Sequence, residues 1–121
     1  MQEPLSPHRW QVNHTIRDVD KKSVLAIIGR FRRALLKHGV KEPRIVLFGS
    51  WATGEPRGDS DIDLAVISET FEGKDFWERV ELLTNAIYEI FEPIEAVALT
   101  PDEWEKSDSP IVEFARTGVS V

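Results

Sequence analysis

Cysteine is absent from this chain of 121 residues. Disulfides and thiolate metal centres are thereby excluded. No apolar run approaches membrane-spanning length, and the N-terminus carries no signal-peptide core. A cytoplasmic location with no membrane association is the expectation. Histidine is scarce, at three residues. His8 and His14 lack metal-ligand spacing and acidic neighbours, so no histidine metal site is read from them. Internal repeats and low-complexity tracts are missing, and the length leaves room for one domain with one modest core.

What is present is ordinary for a globular protein: 41% hydrophobic and 30% charged residues. The net charge of −6 conceals a division. Residues 1–44 carry ten Lys and Arg against four Asp and Glu, a net of +6. Residues 45–121 carry five against seventeen, a net of −12. The basic part is expected to be a solvated helix face rather than a nucleic-acid surface.

Residues 1–19, with Pro4 and Pro7 and no clear period, read as an irregular arm, anchored locally by Trp10, Val12 and Ile16. A helix is expected over Asp20–His38, capped by Asp20 and ended by Gly39. Its apolar stripe is Val24, Ile27, Ile28, Phe31, Leu35 and Leu36. Ile45–Phe48 and Asp61–Ile67 read as buried strands, and Ser68–Gly73 as a loop. A second long helix is expected over Lys74–Phe91, with Phe76, Val80, Leu83, Ile87 and Ile90 facing the sheet. Trp77, Tyr88 and Phe91 lie beside that stripe, either widening the core face or forming an aromatic patch for a partner. Pro93 ends the helix, and Ile94–Leu99 reads as a third strand. Thr100-Pro101-Asp102-Glu103 is a capping box that opens a short helix to about Lys106. A further short helix runs from Ser109-Pro110 to about Thr117, and Val119 and Val121 suggest a last short strand. The fold class is therefore α/β (α+β), a small mixed sheet flanked by helices.

The chemistry concentrates in one stretch. A strand ends at Gly49-Ser50, a loop with Gly54, Pro56 and Gly58 follows, and a strand then opens with Asp61-Ile62-Asp63. Residues two apart on a strand share a face, so the two aspartates are neighbours. Ionising both is costly unless a cation lies between them. A hard divalent ion suits carboxylate ligands, and magnesium suits a site shared with phosphates. Glycine allows close backbone approach to a phosphate, amides at a helix start favour anions, and the Ser50 hydroxyl adds a donor. Because the surrounding half is acidic, a triphosphate would be repelled without metal. Trp51 is expected to pack on the sheet, and Ser60 to shape the turn.

Gly-Ser, ten intervening residues and Asp-x-Asp resemble the signature of the nucleotidyltransferases related to DNA polymerase beta, most closely the minimal nucleotidyltransferases. The tail after Ser109 is also similar to theirs, so the resemblance covers roughly residues 20–121, one minimal domain after the arm. It implies two-metal attack on the α-phosphate of a nucleoside triphosphate, with Mg2+ held by Asp61, Asp63 and a third carboxylate from the adjoining strand. Glu95 is the acid placed there, where the family more often has Asp. Gly49 and Ser50 would hold the β- and γ-phosphates, and Arg57 would neutralise charge on departing pyrophosphate. Many members are antitoxins paired with a helical HEPN ribonuclease toxin, to a tyrosine of which they transfer AMP from ATP. An AMP-transferring antitoxin in a hetero-oligomer is thus the first expectation. Neutralisation by binding alone is the alternative. Transfer to a small molecule such as an aminoglycoside ranks last, since it normally requires a second domain.

Overall fold

The computed structural model describes residues 18–54, 56 and 60–121. Residues 1–17, with Trp10, Val12, Ile16, His8 and His14, lie outside these, as does Arg57.

The first helix, α1, spans Asp18–Lys37. It begins two residues before the expected cap, so Asp20 sits in the first turn instead. An acid there still complements the helix dipole. Val24, Ile28, Phe31 and Leu35 are buried as their spacing predicts, but Leu36 is half-exposed. The turn carrying Leu36 faces an open space lined, among the described residues, by Gly39, Lys41 and Thr70. Gly39, at φ 93°, ends the helix by letting its own N–H reach the Leu36 carbonyl and that of Val40 reach Leu35. This double closure satisfies carbonyls the helix would leave orphaned.

Four strands follow: β1 (Arg44–Phe48), β2 (Ile62–Ile67), β3 (Ile94–Leu99) and β4 (Val119–Ser120). Their order across the sheet is β3-β2-β1-β4. β1 runs antiparallel to β2 and β4, whereas β2 and β3 are parallel. The mixed sheet is thus as expected. Alternation along the strands builds two apolar layers. Ile45, Leu47, Leu64 and Val66 face α1 and a second long helix, α3 (Phe76–Ile90). Val46, Phe48, Ala65, Ile67 and Leu99 face two short helices, α4 (Pro101–Lys106) and α5 (Pro110–Arg116). A one-turn helix, α2 (Ser50–Thr53), follows β1.

Local chemistry accounts for the helix starts. Asp75 and Glu78 form a reciprocal capping box, which places the start of α3 two residues after the expected Lys74. Thr100 and Glu103 do the same for α4. Glu103 also accepts from Arg79 at 2.6 Å, tying α4 to α3. Burial pushes the Glu103 carboxyl up, but bonds from Thr100 and Arg79 outweigh it, and the net shift is downward.

Three expectations fail for one reason: sequence period does not reveal what stands opposite. The segment after β2 is not a plain loop. It contains a 3-10 turn, Glu69–Phe71, whose Phe71 is fully buried. Phe76, expected against the sheet, is 67% exposed. It stands two turns before buried Leu83 on the same stripe, but there it lines an open gap beside Ala96–Ala98 of β3. Of the two readings of Trp77, Tyr88 and Phe91, the widened core face is the one that fails, since all three are exposed.

The basic surplus is not simply solvated. Arg30 donates to Glu92 at 2.9 Å and to the Ile90 carbonyl, and Lys37 pairs with Glu89 at 2.9 Å. Arg32 donates to the carbonyls of Pro43 and Val121. These exposed ion pairs are screened by solvent and add little to stability. No helix among the described residues is long and apolar enough to cross a membrane.

Gly118 gives a direct test of this packing. A Cβ there would lie 2.2 Å from the Leu47 carbonyl oxygen and 3.0 Å from the Phe48 Cβ. Gly118→Ala must therefore push α5 and β4 from β1. It should lower stability by about 1–3 kcal/mol, read as an earlier urea midpoint with unchanged slope. An unmoved midpoint would refute the close approach.

Candidate active site

Strand register assembles the site. Phe48 of β1 pairs with Asp63 of β2, and Asp63 pairs with Glu95 of β3. Paired residues point to one side of a sheet, so these three form a row on the face covered by α4 and α5. Asp61, two residues before Asp63 and just outside β2, projects from the same face. Glu95 and Asp61 are exposed, while Asp63 is half-buried. An acid within an apolar strand is tolerated because β3 is an edge strand and its carboxylate reaches solvent.

The acids interact. Burial first, then the charges of Glu95 and Asp61, raise the Asp63 carboxyl above its ordinary value of 3.8. Nevertheless, among the described residues no three Asp, Glu or His side chains are gathered tightly enough to enclose a cation. The donors are all hard oxygens, and the like-charge cost at Asp63 is one that a divalent ion relieves. This set therefore fits such an ion in the chemistry of its donors.

Gly49 holds the opposite wall. At φ 75° it adopts a conformation L side chains avoid. A Cβ there would lie 2.2 Å from Asp63 Oδ2, so backbone and carboxylate are in contact. The Gly49 carbonyl accepts from the N–H groups of Ala52 and Thr53, both at 3.1 Å, which starts α2. Gly54, at φ 89°, ends it. Trp51 packs against the core, as expected, and its indole N–H donates to the Ser60 carbonyl at 3.2 Å. That bond joins the two ends of the glycine-rich loop and seats Asp61 one residue later. Gly49, Ser50, Asp61, Asp63 and Glu95 thus lie around one end of the β1-β2-β3 segment.

Below the acid row is a cleft of about 250 Å³, bounded by Phe48, Asp63, Glu95, Val97, Ile111 and Phe114. Sequence reasoning assigned α5 no chemistry and missed Ile111 and Phe114. A signal was available: Pro-Ile-Val-Glu-Phe-Ala-Arg has more apolar positions than a seven-residue helix needs to seat itself. A larger space of about 870 Å³ lies at the other end of the strands, near Lys41, Ser68 and Pro101, and holds none of the signature residues.

A family model described as polymerase beta, nucleotidyltransferase, matches residues 34–112. A crystal structure of a candidate nucleotidyltransferase aligns with 26% identity and a TM-score of 0.56, over 78% of this chain and 96% of that one. A second, from Sulfolobus solfataricus, aligns with 16% identity and a TM-score of 0.49, over 68% of this chain and 77% of that one. No curated protein matches. The family generally uses a nucleoside triphosphate with a divalent metal. Its model covers more than half of the sequence, including the Gly49-Ser50 turn, both aspartates and the neighbouring strand, so this chain belongs to the polymerase beta nucleotidyltransferase family.

Proposed function

We propose that the protein is a minimal nucleotidyltransferase antitoxin that moves AMP from ATP to a tyrosine of a HEPN-type ribonuclease toxin. The observation that supports this best is the register of Asp63 with Glu95, with Asp61 on the same face. Three carboxylates at one sheet end, beside a glycine turn pressed on the central one, suit nucleotidyl transfer.

In this reading Asp61, Asp63 and Glu95 hold magnesium. The metal supplies charge neutralisation for the triphosphate and a lowered pKa for the attacking hydroxyl. The backbone at Gly49 and the Ser50 hydroxyl orient the β- and γ-phosphates, and Arg57 balances charge on the leaving group. Glu95 receives the hydroxyl proton. The hydroxyl oxygen bonds to the α-phosphorus in line, the bond to the β-phosphate oxygen breaks, and pyrophosphate departs.

The test uses α-labelled ATP, Mg2+ and a HEPN-type ribonuclease that binds this chain. Label is expected on a tyrosine of the partner, and not with Asp61→Asn/Asp63→Asn. If the two proteins bind but no label transfers, the reading fails. A second reading, neutralisation by stoichiometric binding, draws on exposed Trp77, Tyr88 and Phe91 along α3. It predicts that the double variant still neutralises the partner fully.

A further inference from the structure

We propose that Phe114 and Ile111, backed by Phe48, form the acceptor subsite, an apolar shelf for the aromatic ring that carries the attacking hydroxyl. The proposal rests on the transferase reading above and assigns it residues outside the carboxylate set.

Three observations carry it. First, α5 does not need these side chains to fold. Val112 and Ala115 already seat the helix, at 3% and 0% exposure, whereas Ile111 and Phe114 remain 46% and 48% exposed. Second, they are not scattered. Both line the cleft whose rim is Asp63 and Glu95. Phe114 is held edge-on to Phe48, with ring centroids 5.6 Å apart and planes at 79°. A ring fixed in this way is preorganised to receive another.

Third, the lining selects among acceptors. Among the described residues that line the cleft, the charged groups are the two carboxylates, with no Lys, Arg or His. A phosphate-bearing acceptor such as an RNA end would meet no basic side chain among them to hold its charge. A sugar would leave most of its hydroxyls against hydrocarbon, which is costly. An uncharged ring with one hydroxyl meets both demands: its body lies on the shelf and its oxygen reaches the acid row. The volume of about 250 Å³ is below the range of drug-sized sites, about 300–1,000 Å³, and suits a single side chain. Gly49, Ser50 and Asp61 do not line the cleft, which leaves it to the acceptor rather than to the nucleotide.

The reaction balances as nucleotidyl transfer. The phenolic oxygen bonds to the α-phosphorus, pyrophosphate leaves with the broken bond's electrons, and the phenolic proton passes to Glu95 and then to water. No oxidant or reductant is involved.

The test titrates the full chain with N-acetyl-tyrosinamide, observed by NMR at the Ile111 methyl and Phe114 ring. Saturable shifts are expected there, with millimolar affinity, and not with N-acetyl-serinamide. Phe114→Ala should weaken binding about tenfold. Phe114→Leu should restore part of it, and Leu36→Ala, on another surface, should leave it unchanged. Absent shifts at these positions, equal shifts with the serine amide, or unaltered affinity in Phe114→Ala would overturn the subsite. Adding Mg-ATP separates the two readings. Shifts with formation of the AMP ester support both, whereas saturable shifts without ester reject the transferase reading and with it the acceptor role.

Discussion

Asp63→Asn will abolish nucleotidyl transfer, by at least about a thousandfold, without lowering the melting temperature. The two halves of this expectation have one cause. Asp63 is the central acid of the row, paired with Glu95 and preceded two residues earlier on its own face by Asp61. Its carboxyl is raised above 3.8 by burial and by those two neighbours. A raised folded-state value means that ionised Asp63 opposes folding. The penalty is absent below the unfolded value, grows as pH climbs past it, and is complete above the raised folded value. Above the folded value the penalty is complete, and asparagine removes it while nearly preserving shape. Stability is therefore retained or increased as activity is lost, the trade-off common at functional sites. Pyrophosphate release with Mg-ATP and acceptor, alongside thermal melts, checks both halves. An Asn variant retaining more than a tenth of the parent rate would contradict the assignment of Asp63.

Gly49→Ala should lose both. The left-handed backbone alone costs an alanine about 1–2 kcal/mol. The new Cβ would also fall 2.2 Å from Asp63 Oδ2, a separation that cannot persist. Either the turn or the carboxylate must move. A displacement on the order of 1 Å at a reacting centre costs about a hundredfold in rate. Gly49→Ala is thus expected to melt earlier and turn over about a hundredfold more slowly. Comparison with Asp63→Asn separates the two causes, because only the glycine variant shows both losses. Turnover within threefold of the parent would show that the turn is not what positions the acid.

The site was more legible in sequence than the surface around it. Gly49-Ser50, Asp61 and Asp63 are close in the chain, and strand alternation alone places the aspartates on one face. Glu95 stood out because it interrupts an apolar run, and its strand begins and ends at the expected residues. The Thr100–Glu103 cap and the Gly39 exit were equally readable, since each satisfies backbone groups within a few residues. Phe71, Phe76, Ile111 and Phe114 were not. Whether an aromatic is buried depends on which element lies across from it, and that is settled by sheet order and helix overhang. The start of α1 was placed two residues late, at Asp20 rather than Asp18, because a capping residue type alone does not fix which turn comes first. The basic residues looked idle because Arg30 and Arg32 find partners 60 or more residues away.

Among the described residues, β3 is hydrogen-bonded to a strand on one side only. Side chains alternate, so the station of Glu95 is a matter of parity along β2. A slip of one residue would invert it, sending Glu95 among the long helices and turning Ala96 outward. Any influence on that ladder, whether a substitution at its margin or a peptide adding itself to the open side, would act as an off-switch for turnover without touching an acid.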